Sequence, residues 1–146
     1  MGTRSSDVGP FVREIEHTAD RGLEIEAPTL PLLFERAGLA MLGLVADLAR
    51  VEPRERRPLG VEAEGREELL HDWLQALLVA LGANGFLACE LEVETMNGRC
   101  ARGTMRGEPV DPVRHDIHTE IKGVTYHQLA VRQTDGGWWA RVIFDV

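Results

Sequence analysis

The 146-residue chain is long enough to bury one sizeable core, and its apolar fraction of 44% is typical of a globular protein, not a disordered one. Its 16 basic and 24 acidic residues give a net charge of −8, which disfavours stable direct binding to nucleic acid. No apolar run approaches the roughly 20 residues that span a bilayer, so no membrane association is expected.

The N-terminal stretch MGTRSSDVGP lacks the apolar segment of a signal peptide. We expect residues 1–10 to form a flexible tail and residues 11–146 to form a single domain. Two cysteines, Cys89 and Cys100, are too few for a disulfide framework, which favours reduced thiols and a cytoplasmic protein. Because they do not form a CxxC pair, a zinc site is also disfavoured.

The first half of the chain predicts two strands, a helix, a strand and a second helix. FVREIEH predicts a strand in which neither face is purely apolar, and GLEIEA alternates apolar and polar residues, as strands do. TLPLLFERAGLAMLGLVADL has apolar residues three and four positions apart, which predicts a helix with one apolar stripe and Thr29 at its N-cap. After the charged linker RVEPRERR, LGVEAEG predicts a strand and REELLHDWLQALLVALGANG predicts a helix that ends near Gly82.

The second half is rich in predicted strands. FLACELEVETM, the turn NGR and CARGTMRG form a hairpin pattern. HDIHTEIKGVTYHQLAVRQ and GWWARVIFDV follow as strands on either side of the turn TDGG. This order predicts an α+β fold in which two helices pack on one face of a mixed, mainly antiparallel sheet.

The polar stretch EHTADRG, residues 16–22, is the first candidate site. One interpretation is a β-turn in which Thr18 and Asp20 bond the backbone. The other is a cation site, because the chain ends on the carboxylates of Asp145 and Val146 and the first strand could lie beside the last. Three converging carboxylates would favour a hard divalent cation, with calcium as the best match and magnesium or manganese as alternatives. The sequence leaves both interpretations open.

The second polar anomaly is Lys122, which interrupts the predicted strand EIKGVTYHQL. A lysine on an edge strand can protect against aggregation, or it can serve a nearby acidic cluster. We expect Tyr126 in the core with its hydroxyl hydrogen-bonded. His71 fits the surface of a helix and His127 the surface of a strand, whereas His115 and His118 fit loop positions and are not expected to be ligands.

Along nearly its whole length the sequence resembles the archease family. The matching stretches are EHTADRG, LFERAGLAMLGLVAD, ELLHDWLQALL, IKGVTYHQL and the terminal RVIFDV. Their order and spacing are specific together, although Gly123 replaces the alanine that the family usually has.

The resemblance implies an accessory protein and not an enzyme. Archeases assist the GTP-dependent RNA ligase that joins a 2′,3′-cyclic phosphate or 3′-phosphate end to a 5′-hydroxyl in tRNA splicing and RNA repair. The resemblance therefore implies that this protein promotes guanylylation of the ligase and its multiple turnover. The family's metal site maps onto Asp20, Asp145 and Val146, and its functional lysine maps onto Lys122. We take Lys122 and His17 as the candidates for partner activation.

Two other functions compete with this interpretation. His17, Asp20 and Asp145 could hold an ion for a stand-alone phosphoester hydrolase or nuclease. Alternatively, the protein could be a general chaperone with a structural cation.

Overall fold

The computed structural model describes residues 2–17 and 20–146. Within these residues lie two α-helices and nine strands. The helices are α1 (Leu30–Val45) and α2 (Arg66–Gly82). The strands are β1 (Thr3–Arg4), β2 (Val12–His17), β3 (Asp20–Ala27), β4 (Glu55–Glu62), β5 (Phe86–Asn97), β6 (Cys100–Pro109), β7 (Gly123–Val124), β8 (Ala130–Thr134) and β9 (Gly137–Asp145). The predicted α+β class with two helices is confirmed.

The strands divide into two sheets instead of the single sheet that the sequence suggested. One sheet has the order β1-β5-β6-β4, and the other has the order β2-β3-β9-β7 with β8 also paired to β9. Every strand pair in the described residues is antiparallel. Since β9 pairs with β3 on one side and with β7 and β8 on the other, the last strand lies inside its sheet and its end is held.

Helix α1 is buried on most sides, whereas the sequence predicted one apolar stripe. It begins as predicted, because the Thr29 hydroxyl accepts a hydrogen bond from Leu32 N at 3.3 Å. It then contacts β5 of one sheet and β3 and β9 of the other, so it has apolar neighbours on opposite sides. At Gly38 a Cβ atom would lie 2.5 Å from Leu91 Cδ1 and 2.8 Å from Leu77 Cδ1, which shows how closely α1 approaches its neighbours.

Helix α2 buries one face and leaves the other partly exposed, as its pattern predicts. Trp73 is fully buried, and its indole Nε1–H donates to Phe34 O at 3.1 Å, which ties α2 to α1. Within the described part of the chain, no helix has the length and apolar character needed to cross a membrane.

The N-terminal residues differ from the flexible tail expected for residues 1–10. Thr3 and Arg4 form β1 and pair with Leu91 and Glu90 of β5. The buried Thr3 hydroxyl donates to the Glu35 carboxylate of α1, whose other oxygen accepts from Val93 N at 2.8 Å. The described part of this segment is therefore docked on the domain.

Two other boundaries differ from the sequence prediction. Strand β4 starts at Glu55, so it includes part of the charged stretch assigned to a linker, and Pro58 is tolerated because β4 is an edge strand. Only short parts of residues 115–133 form strands, namely β7 and the first four residues of β8. The β5–β6 hairpin and the β8–β9 turn are found as predicted.

Candidate functional site

A row of backbone positions crosses the second sheet at the end of the chain. His17 pairs with Asp20, Asp20 pairs with Asp145, and Asp145 pairs with Gly123. We call these four positions the terminal row. The first hairpin and the last strand thus meet, and Asp20 begins strand β3 instead of lying within a long loop. Thr18, which could have closed a β-turn, lies outside the described residues, as does the side chain of His17.

The two aspartates of the terminal row share one face of the sheet. Residues directly opposite each other in antiparallel strands have Cβ atoms about 4.5–5.5 Å apart, and like charges at such positions repel. Asp20 is half-buried and Asp145 is exposed. Among the side chains that the structure describes, neither carboxylate has a hydrogen-bonding or ionic partner, so their repulsion is not offset within the described chain.

An apolar floor lies next to the terminal row on the same face. Gly22 lies between Ile15 and Ile143, and a Cβ atom at Gly22 would lie 3.4 Å from each of their side chains. Ile143 is only 1% exposed. The terminal row therefore has buried apolar surface beside it.

The oxygen donors of the terminal row and the adjacent Val146 fit a hard cation. Asp20, Asp145 and the α-carboxylate of Val146 are all oxygen ligands, and calcium also takes backbone carbonyls and water. The described side chains include no cluster of three or more His, Cys, Asp or Glu, so the third carboxylate would have to come from the main chain at Val146. The Val146 side chain packs against the core, which fixes the residue at the end of β9.

A soft-metal site does not fit the described residues. Cys89 and Cys100 lie on β5 and β6 of the other sheet, and both are free thiols. Burial raises the pKa of the Cys89 thiol to about 11, so it stays protonated at neutral pH and is a poor metal ligand.

Lys122 lies beside the terminal row. Its backbone N–H donates to Asp145 O at 2.7 Å, and its side chain is exposed. It is also the only lysine in the sequence, since the other 15 of the 16 basic residues are arginines. A lysine ammonium is a compact charge with three donors, whereas a guanidinium is a planar fork. The single lysine of the sequence therefore lies next to the terminal row, joined to it by a backbone hydrogen bond to Asp145.

A groove of ≈ 640 Å³ borders Lys122 on the side of α2. Its walls are mainly apolar and include Leu78, Val79 and Ile121, while Gln75 and Lys122 supply polar atoms. The groove places apolar surface next to the candidate site.

The chain that leads into Lys122 is anchored by a buried ion pair. Glu108 is 3% exposed and accepts two hydrogen bonds from the Arg114 guanidinium, both at 2.8 Å. It also accepts from Glu52 N at 2.8 Å and from His115 Nε2 at 3.0 Å. The Arg114 hydrogen bonds, more than the other contacts, hold the pKa of Glu108 well below its usual range.

The structure places the remaining histidines in different settings. His115 is fully buried, and its Nδ1 accepts from Asp111 N at 2.9 Å, so both ring nitrogens serve the anchor. His118 is exposed and lies 3.0 Å from the Thr119 hydroxyl. His127 is also exposed.

Sequence reasoning missed His71. The sequence predicts a surface position for it on α2, but its side chain is only 13% exposed and Nε2 lies 2.9 Å from Val124 O. Its ring stacks on Tyr126 with the ring centres 4.0 Å apart. Tyr126 was expected in the core and is instead 61% exposed, because it covers His71 from outside.

Comparison with known proteins shows which family this chain resembles in sequence and in fold. The model of the archease protein family matches residues 13–146. The "Protein archease" of Methanopyrus kandleri is 43% identical over 138 residues, which cover 91% of this chain and 97% of that protein.

Two solved structures share the fold. The solution structure of Methanobacterium thermoautotrophicum protein 1598 aligns with a TM-score of 0.77 at 31% identity and covers 92% of this chain and 98% of that one. A crystal structure from Thermotoga maritima, described as an archease and possible chaperone, aligns with a TM-score of 0.65 at 23% identity. It covers 92% of this chain and 96% of that one.

Proposed function

This chain belongs to the archease protein family, and we propose that it is an accessory protein that activates a GTP-dependent RNA ligase. In this proposal the protein promotes guanylylation of the ligase and its multiple turnover during tRNA splicing and RNA repair. It works in the cytoplasm and is not itself an enzyme. The net charge of −8 fits a protein that docks on a basic partner better than one that holds RNA.

The observation that supports this proposal best is the pairing of Asp20 with Asp145 beside Lys122. Residues from the first hairpin, the last strand and the segment before β7 meet at one end of a sheet. This arrangement is compact enough to enter a partner's pocket as a unit. It also places like charges together at a cost that a cation would remove.

The carboxylates of Asp20, Asp145 and Val146 would hold the divalent cation, with calcium as the best match and magnesium or manganese as alternatives. When bound, the ion would act as a Lewis acid that coordinates phosphate oxygens. The Lys122 ammonium would orient a phosphate or carboxylate oxygen next to these groups. His17 pairs with Asp20 at the backbone and is proposed to contact the partner from the same row.

Activation requires that the protein bind one conformation of the ligase better than another, because only differential affinity shifts such an equilibrium. The acidic end of the sheet would complement a pocket rich in basic residues and metal. The bordering apolar groove would add contact area next to it. The protein then stabilises the form of the ligase that accepts GMP.

A ligation time course with limiting ligase tests this function. Wild type, Asp20→Asn and the control Asp135→Asn would be compared; Asp135 is an exposed acid in the β8–β9 turn, at the other end of β9. We expect wild type and the control to increase the number of ligase turnovers. The increase produced by Asp20→Asn should be about tenfold smaller.

Equal stimulation by Asp20→Asn and wild type would overturn the cation-dependent mechanism. If the protein alone released phosphate or cleaved RNA, and Asp20→Asn lost that activity, the protein would instead be a phosphoester hydrolase or nuclease.

A further inference from the structure

Three polar side chains on α2 hold the segment that follows Lys122. Glu67, His71 and Gln75 are spaced four residues apart, so they share one face of the helix. Glu67 Oε2 accepts from Val131 N at 3.0 Å, and Gln75 Oε1 accepts from Val124 N at 3.2 Å. With the contact from His71 to Val124 O, these side chains bond the backbone of residues 124–131 at both ends.

Strand β7 is therefore held on two sides. Lys122 N and Thr125 N donate to Asp145 O and Ile143 O of β9, at 2.7 and 3.0 Å. The N–H and C=O of Val124, between them, point the other way and are both taken by α2. His71 and Gln75 thus provide the hydrogen bonds that a neighbouring strand would otherwise make to this edge of β7, because buried backbone groups require partners.

The His71 side chain makes three contacts: Nε2 with Val124 O, the ring face with Tyr126, and Nδ1 with Asp72 Oδ1 at 2.9 Å. A carbonyl oxygen only accepts, so Nε2 carries the hydrogen that bonds Val124 O. The ring face stacks on Tyr126 with an angle of 12° between the planes. A glutamine could keep a donor near the Nε2 position without the stack, and a phenylalanine could keep the stack without the donor.

We infer that His71 is a positioning residue for Lys122, which it holds beside Asp145 by bonding the backbone of Val124, with Gln75 as the second contact. The predicted effect of His71 on ligation rests on the proposed function. Its predicted effect on the position of Lys122 is independent of that function.

The single lysine makes the position of Lys122 measurable. Reductive methylation with ¹³C-formaldehyde labels Lys122 and the N-terminal amine alone, because the chain has no other lysine. The full-length protein would be compared as wild type, His71→Phe, His71→Gln and the control Glu68→Gln, an exposed neighbour on α2.

We expect His71→Phe to shift the Lys122 methyl resonance and to speed exchange of the Lys122 and Thr125 amide hydrogens about tenfold, while amides of the β5–β6 hairpin are unchanged. His71→Gln should restore both readouts to within about twofold of wild type. If His71→Phe leaves the resonance and the exchange rates as in wild type, the inference is overturned.

If His71→Phe does not fold, Gln75 provides the same test. Gln75→Leu removes the acceptor for Val124 N, and Gln75→Glu keeps it. The inference requires faster exchange of the Lys122 amide in Gln75→Leu but not in Gln75→Glu, and equal exchange in both overturns it.

Ligation assays separate positioning from binding. At saturating protein, His71→Phe should lower the maximal stimulation several-fold while the half-saturating concentration stays within about twofold. A change confined to the half-saturating concentration would make His71 a partner contact and overturn positioning. If wild type itself gives no stimulation, the proposed function fails, and the resonance and exchange measurements still decide the inference.

Discussion

Asp20 and Asp145 lie directly opposite each other on the adjacent antiparallel strands β3 and β9. This pairing ties the start of the second sheet to the end of the chain and places two carboxylates on one face. Opposed like charges destabilise a strand pair, so the arrangement costs stability unless another group compensates it. A cation bound between the two carboxylates would remove their repulsion.

The first prediction concerns calcium and stability. Asp20→Asn should stabilise the metal-free protein by roughly 0.2–1 kcal/mol, because it removes the repulsion with Asp145. Millimolar calcium should raise the melting temperature of wild type, since a ligand that binds only the folded state stabilises it. The variant should show little of that rise, as measured by thermal unfolding with and without calcium. A calcium-induced rise of the same size in both proteins would rule out Asp20 as a ligand.

The second prediction concerns the chemistry of Lys122. Lys122→Arg keeps the positive charge but replaces a compact ammonium with a wider planar group. We expect stimulation of ligation to fall several-fold in Lys122→Arg, while thermal stability changes by less than about 0.5 kcal/mol because the side chain is exposed. Arg132→Lys is a suitable control, as this exposed arginine lies on β8. Full stimulation by Lys122→Arg would show that charge alone is sufficient.

The third prediction concerns pH and the anchor at Glu108. Arg114 lowers the pKa of Glu108 in the folded state, so this carboxylate stabilises the fold above its ordinary pKa of 4.5 and loses that contribution as the pH falls. Arg114→Ala should lower the free energy of unfolding at pH 7, because it removes the strongest hydrogen-bonding partner of the buried Glu108 carboxylate.

Urea unfolding between pH 7 and pH 3 measures this effect. The free energy of unfolding of wild type should fall below about pH 5, and that of Arg114→Ala should fall less steeply, since its Glu108 pKa lies nearer the ordinary value. Parallel curves for the two proteins would show that Arg114 does not set the pKa of Glu108.

The fourth prediction tests the docked N-terminus. Thr3→Val removes the hydroxyl that donates to the buried Glu35 carboxylate but keeps the shape of the side chain. We expect a loss of about 1–3 kcal/mol in the free energy of unfolding. Thr3→Ser keeps the donor and should lie closer to wild type. If Thr3→Val is as stable as wild type, the N-terminal residues behave as the flexible tail that the sequence suggested.

Local strand and turn patterns gave the most reliable predictions from the sequence. GLEIEA and RVIFDV identify β3 and β9, and the β5–β6 hairpin follows from its Asn-Gly turn. The sequence could only propose that Asp20 and Asp145 meet, because strand order is set by tertiary packing and not by local periodicity.

The errors concern contacts between distant segments. His71 reads as a surface residue because a helical pattern does not show that a polar side chain meets the backbone of Val124. The sequence predicts Tyr126 in the core because its exposed position depends on stacking against His71, which no local pattern reveals. The sequence also predicts too much strand in residues 115–133, of which only β7 and the first four residues of β8 are strand.

The most direct test of the central claim is transfer of labelled GMP from GTP to the ligase, measured with ligase in excess over the added protein. We predict that wild type and Asp135→Asn accelerate formation of the ligase–GMP adduct, and that Asp20→Asn and Asp145→Asn do not. Equal acceleration by all four proteins would contradict the account, because the paired aspartates would then have no part in activation.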